Sequence, residues 1–162
     1  MSDRMLILTI TRIEADHLAD LVTQFSELLD ETRTDADSAI DPAVARLVPD
    51  VYPDDAEASS EFRRATQSDL LGRRGQDAER VLSDLRGTVD SHTKDDAARP
   101  VDIALDEDGV RAWMRTLTAI RLVIASRLGI EDEDDRDEDD PRFGVYDWLG
   151  YRLEGLIQAS EP

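Results

Sequence analysis

Acids suited to proton transfer are so abundant here that abundance nominates none of them: 38 carboxylates face 19 lysines and arginines, leaving 162 residues at −19. The residues that would give those acids chemical partners are scarce. There is no cysteine, which removes thiolate metal sites, a cysteine nucleophile and any thiol redox pair together. The two histidines, His17 and His92, have no ligand spacing between them, so zinc is not expected. No Gly-x-Ser-x-Gly elbow is present, and Gly72-Arg73-Arg74-Gly75 lacks the lysine of a phosphate loop. The run Glu131 to Asp140 invites a calcium reading and fails it. Counted from Asp132 or Asp135, the sixth loop position is Asp137 or Asp140 instead of glycine, and the twelfth is Phe143 or Tyr146 instead of glutamate. The sequence therefore predicts no catalytic residue, no metal and no cofactor.

One residue breaks its local pattern. Between Glu107 and Leu128, Val110, Trp113, Leu117, Ile120, Ile124 and Leu128 fall on one face at helical spacing, and Arg121 sits in that same sector. A guanidinium on a core-facing stripe must be matched, because an unpaired buried charge costs several kcal/mol. Two readings follow. Either Arg121 makes a buried ion pair or caps a helix end, or it is an anion- or partner-binding arginine in a cleft. Trp113 on the same helix, with Tyr146, Asp147 and Trp148 in the next apolar segment, completes the candidate interaction site. Leu122 lies opposite the core face, among Arg111, Arg115 and Ser126, and marks a possible helix-mediated homodimer.

The elements that must position these residues are mostly helical. Met5 to Ile10 and Val101 to Leu105 read as two short strands that pair as a small ribbon. Thr11-Arg12-Ile13-Glu14 matches a capping box opening a helix with Leu18, Leu21, Val22, Phe25, Leu28 and Leu29 on one stripe. Asp41-Pro42 opens a short helix that Pro49 stops, and Asp54 with Glu57 marks another start. Ala56 to Arg86 reads as two helices with a phase break near Gly72 or Gly75; Leu71, Ala78, Leu82 and Leu85 share one face. Gly87 to Arg99 reads as a loop. Asp106 caps the 107–128 helix and Gly129 stops it. The last helix is predicted to begin with Asp147 as N-cap, with Tyr146 and Tyr151 as a hydrophobic staple and Leu149, Leu153, Leu156 and Ile157 buried. The expected fold is mainly α, a multi-helix bundle with a minor two-stranded β element, in one domain over 1–162 that carries an acidic loop at 131–141.

Charge excludes one large class. Nine acids against one arginine give Glu131 to Asp140 a local charge of −8, and the remainder still carries −11. Direct nucleic-acid binding needs a basic footprint to displace counterions, so it is not expected. Among the basic residues only Lys94 is lysine. Arg63, Arg64, Arg73, Arg74 and Arg80 form the least acidic stretch, which receives either an acidic partner or the chain's own acidic run. No apolar run approaches the roughly 18 residues that span a membrane, and Met5 to Ile10 is too short for a signal-peptide core, so a cytoplasmic location is expected.

Two stretches carry a resemblance. They are Asp41-Pro42-Ala43, Arg46-Leu47, Pro49, Tyr52, Asp54-Asp55 and Glu61-Phe62-Arg63, and then Trp113, Leu117, Arg121-Leu122, Arg127-Leu128-Gly129-Ile130 and Tyr146-Asp147-Trp148-Leu149-Gly150. In this order and spacing they resemble the actinobacterial AosR-like family, helical proteins known as oxidative-stress transcriptional regulators. The resemblance implies a non-enzymatic module that acts through protein contacts with the transcription machinery, such as a sigma factor. It also hints at proteolysis, since members are commonly encoded beside the Clp adaptor. The chain departs from the family twice. It lacks the cysteine pair on which the family's redox sensing depends, and it has Thr118-Ala119 where a polar Asn-Asp pair is expected. The alternative function is an enzyme or small-molecule sensor with a pocket around Arg121.

Overall fold

The computed structural model describes residues 5–34, 42–45, 47, 56–89, 99–129, 139 and 141–160. Their order is β1 (Leu6–Thr11), α1 (Arg12–Thr34), α2 (Pro42–Ala45), α3 (Ala56–Val89), β2 (Pro100–Leu105), α4 (Glu107–Leu128) and α5 (Pro141–Ser160). The fold is mainly α with one two-stranded antiparallel sheet, as expected. In its register Leu6 opposes Leu105 and Thr11 opposes Pro100. The Arg12 amide extends the ladder by donating to the Arg99 carbonyl at 3.0 Å. Alternation along the ribbon sends Ile10, Ile103 and Leu105 into the core and leaves Ile7 exposed.

β1 runs into α1 without a loop, and the capping box is what permits this. The Glu14 amide donates to Thr11 Oγ1 at 3.2 Å, and the Thr11 amide donates to Glu14 Oε2 at 2.8 Å. Two amides that would otherwise face the turn unpaired are thereby satisfied. α1 then buries Leu18, Val22, Phe25 and Leu29.

α3 is one helix of 34 residues, about 51 Å long, and not two. The expected break at Gly72 or Gly75 does not occur. Each glycine costs a helix about 1 kcal/mol, less than burial of Leu71, Ala78, Val81, Leu82 and Leu85 on the neighbouring turns returns. The helix also carries through Gly87, which the sequence reading placed in a loop. Most of that loop, together with the ends of the short helix at Asp41 and Pro49, the Asp54 start and most of the acidic run, lies outside the described residues.

α4 spans the range predicted for it. Its N-cap Asp106 accepts from the Gly109 amide at 2.7 Å, and Gly129 ends it at φ 71°, in the left-handed region that favours glycine. α5 corrects a prediction. It begins at Pro141, so Asp147 lies inside the helix, Tyr146 and Tyr151 form no staple, and the acidic loop ends one residue earlier than drawn. Proline at the first helical position has its φ already set, and Phe143 and Leu149 are both buried by the longer helix. Leu122 is also corrected: it is half-buried and packs against the core, so no exposed leucine marks a homodimer there. Among the described residues no helix is long and apolar enough to cross a membrane.

Candidate functional site

Four of the five candidate residues are distributed over three joints of the fold, and the fifth, Asp147, is exposed on α5. Arg121 joins α4 to α5. Its Nε donates to the Tyr146 carbonyl at 3.2 Å, and its guanidinium carbon lies 3.9 Å from the centre of the Tyr146 ring. Gly150, one turn further along α5, lets the guanidinium lie against the backbone; a Cβ there would sit 2.9 Å from Cζ and Nη2. Among the described residues no carboxylate pairs with Arg121. Among the described residues the stripe-breaking arginine is thus matched by a carbonyl and a π face.

Trp113 lies at the α3–α4 joint with no solvent exposure. Its Nε1 donates to Asp84 Oδ2 at 2.9 Å. Asp84 also receives Arg80 Nε at 3.2 Å, and Arg80 Nη2 reaches Asp106 Oδ1 at 3.0 Å. One chain of polar contacts therefore links the buried indole to the N-cap of the same helix. The Gly109 amide and Arg80 together hold Asp106 below the usual carboxylate range, the amide bond contributing most. Slight burial works against the Arg80 charge, yet Asp84 and Asp106 raise its pKa above the ordinary arginine value. The nearby Arg74 is half-buried, and that burial lowers its pKa despite Asp77. Arg80 in the basic stretch thus meets acids of α3 and of the α4 cap.

Trp148 lies at the third joint, with Glu14, which the sequence reading placed only in a capping box, and Arg152, which it missed. Its Nε1 donates to Glu14 Oε1 at 2.9 Å. Arg152, one turn on, donates through Nη2 to both Glu14 oxygens at 2.8 and 2.7 Å and through Nη1 to the Thr9 carbonyl at 3.5 Å. Partial burial pushes the Glu14 pKa up, but the Arg152, Thr11 and Trp148 hydrogen bonds and the Arg152 charge outweigh it and lower it to about 2. Glu14 so ties β1, α1 and α5 together. The capping-box motif was the signal for Glu14; no local pattern pointed to Arg152.

Each tryptophan therefore donates to a carboxylate that an arginine also holds. Both rings border one internal gap of about 10 Å³ beneath β1, with room for no more than a single water. Tyr146 is half-buried under Arg121, Asp147 is exposed on α5, and His17 is exposed on α1; His92 lies outside the described residues. Among the described residues no group of three or more His, Asp or Glu side chains is placed to hold a metal. The larger concavities are one of about 440 Å³ between the starts of β1 and α4 and the end of α5, and two along α1, one of them bordered by Trp148 and Glu14.

No curated protein and no solved structure matches the chain. A family profile matches residues 2–160, nearly the whole length, and carries the description Domain of unknown function (DUF2017). The chain with the three tryptophan- and arginine-built joints is a member of that DUF2017 family.

Proposed function

We propose that the chain is a non-enzymatic regulatory interaction module of the AosR-like kind, of actinobacterial origin and cytoplasmic. It acts through contacts with a component of the transcription machinery such as a sigma factor. The observation that carries this reading is the use made of the candidate residues. Arg121, Trp113 and Trp148 each join two helices, and the Arg121 guanidinium lies against Tyr146 and Gly150 of its own chain. This weighs against the alternative of a small-molecule or anion pocket at Arg121. The charge of −19 supports a partner whose own surface is basic, since a field of that sign attracts proteins built to bind nucleic acid and competes with phosphate for them. Without cysteine the module has no thiol switch of its own, so its regulation runs through abundance or occupancy.

A tagged pull-down from the native cytoplasm, with and without oxidant and read by mass spectrometry, tests the proposal. Recovery of a sigma factor under both conditions is the expected result. Recovery of no transcription component, together with a ligand that protects the chain against thermal unfolding only while Arg121 is intact, would replace it with the sensor reading.

A further inference from the structure

Along one side of α1, Glu14, His17, Leu21, Gln24, Leu28 and Glu31 follow one another at alternating steps of three and four, which places them in a single stripe. Two grooves line this stripe and meet at Leu21. Towards the start of α1 the opposite wall is α5, with Val145 and Trp148, and the groove encloses about 370 Å³. Towards its end the opposite wall is α4, with Ile120, Val123 and Ile124, and the second groove encloses about 360 Å³. From Glu14 to Glu31 the stripe runs about 25 Å, the length of a helix of nearly five turns. The floor is apolar, and Trp148 is held at the wall by its bond to Glu14. A long apolar trough between helices is the shape that receives an amphipathic helix.

Charge decides which helix. α1 carries six acids against two arginines, and on the groove Glu27 and Glu31 outnumber the one arginine there, Arg127. The two wall helices are joined in sequence by Glu131 to Asp140, with its nine acids and one arginine. A second copy of this chain would bring the same charges against themselves, which disfavours self-association here. We propose that this groove receives a basic amphipathic helix of the partner, apolar on the face laid against Leu21 and Leu28 and rich in lysine or arginine on the other. The inference rests on the interaction-module reading and names its surface. A helix of this kind is what many nucleic-acid-binding proteins lay on phosphate, so seating it here would cover it.

The test uses the full chain and a fluorescent amphipathic leucine–lysine peptide of about 18 residues, followed by anisotropy. Gln24 and Glu27 are exposed on α1 at the groove, whereas Gln76 and Glu79 are exposed at the same spacing on α3. Gln24→Arg with Glu27→Arg and Gln76→Arg with Glu79→Arg change the net charge by the same amount, so the second pair controls for the field of the whole molecule. The groove pair should weaken binding about tenfold or more, and the α3 pair about twofold. Equal weakening by both pairs, or no saturable binding by the unaltered chain, overturns the proposal. The pull-down separates the two claims. Capture of a sigma factor that ignores the groove pair removes the groove and keeps the functional reading. Groove-dependent peptide binding with no transcription component captured does the reverse.

Discussion

Replacing Glu14 by glutamine tests whether the three-way joint of β1, α1 and α5 is electrostatic. Its carboxyl is lowered from 4.5 to about 2 in the folded chain. A shift of that size corresponds to about 3 kcal/mol of folding stability, at 1.36 kcal/mol per pH unit. A second route gives a similar figure. Breaking a buried ion pair by removing one partner costs about 3–5 kcal/mol, and here the two side chains are 24% and 22% exposed, so solvent reduces the cost to about 2–3 kcal/mol. Glutamine keeps one acceptor oxygen but turns an amide donor towards Arg152, Trp148 and the Thr11 amide, all of which are donors themselves. The sign follows from proton uptake. The unfolded carboxyl binds a proton near pH 4.5 and the folded one only near 2, so the stabilisation is complete above that window and disappears as pH falls through it. Urea unfolding of both proteins from pH 7 to 2.5, expressed as a difference, cancels the self-repulsion of the other acids. The difference should be about 3 kcal/mol at pH 7 and shrink steadily below 4.5. A difference under about 0.5 kcal/mol at neutral pH, or one that stays flat into acid, refutes the argument.

Gly150→Ala should destabilise the native chain by about 1 kcal/mol, because evicting Arg121 from Tyr146 outweighs the helix-propensity gain. In an Arg121→Ala background the same change should stabilise by a similar amount, and thermal melts that fail to reverse sign would remove Arg121 from the joint. Arg121→Met alone should cost about 1 kcal/mol in urea unfolding, as the loss of a π contact and one hydrogen bond implies; collapse of the fold would reveal a buried partner instead. Trp113→Phe should cost about 1–2 kcal/mol by removing a donor from Asp84, and Trp148 then reports unfolding alone by fluorescence. Gly129→Ala should lower stability by about 1 kcal/mol, because φ 71° is strained for any other residue.

What was legible in the sequence was local. The capping box at Thr11 and Glu14, the stripe of α1, both strands, and the Asp106 and Gly129 boundaries of α4 each rest on residues a few positions apart, and each is present. Propensity misled where tertiary burial opposed it. Phe62, on the opposite side of the wheel from Leu71, Ala78, Leu82 and Leu85, suggested a phase break near Gly72 or Gly75, but α3 runs unbroken through both glycines. Asp147 looked like a cap because aspartate ahead of an apolar run usually is one, yet Pro141 opens the helix earlier and Phe143 is buried by it. Arg121 was identified as anomalous from periodicity alone. Its match was not, since a helical carbonyl and a tyrosine face leave no local signature. Arg152 escaped for a related reason: its carboxylate lies 138 positions away, and only the folded ribbon brings the two together.

The ribbon also sets an order of events during synthesis. Met5 to Thr11 is an uncharged stretch in an otherwise heavily charged chain, and its partner strand ends at Leu105, 99 positions beyond Leu6. At about 5–20 residues per second, β1 waits roughly 5–20 s before its mate emerges from the ribosome. Throughout that interval an apolar segment with high β-propensity stands without a partner, the kind that pairs with copies of itself. Asp3, Arg4 and Arg12 bracket it as charged gatekeepers, and the acids of α1 follow immediately. The nascent chain thus carries its own repellent beside its stickiest strand. Neutralising that bracket should show first as loss of soluble yield, before any change in the equilibrium stability of the finished protein.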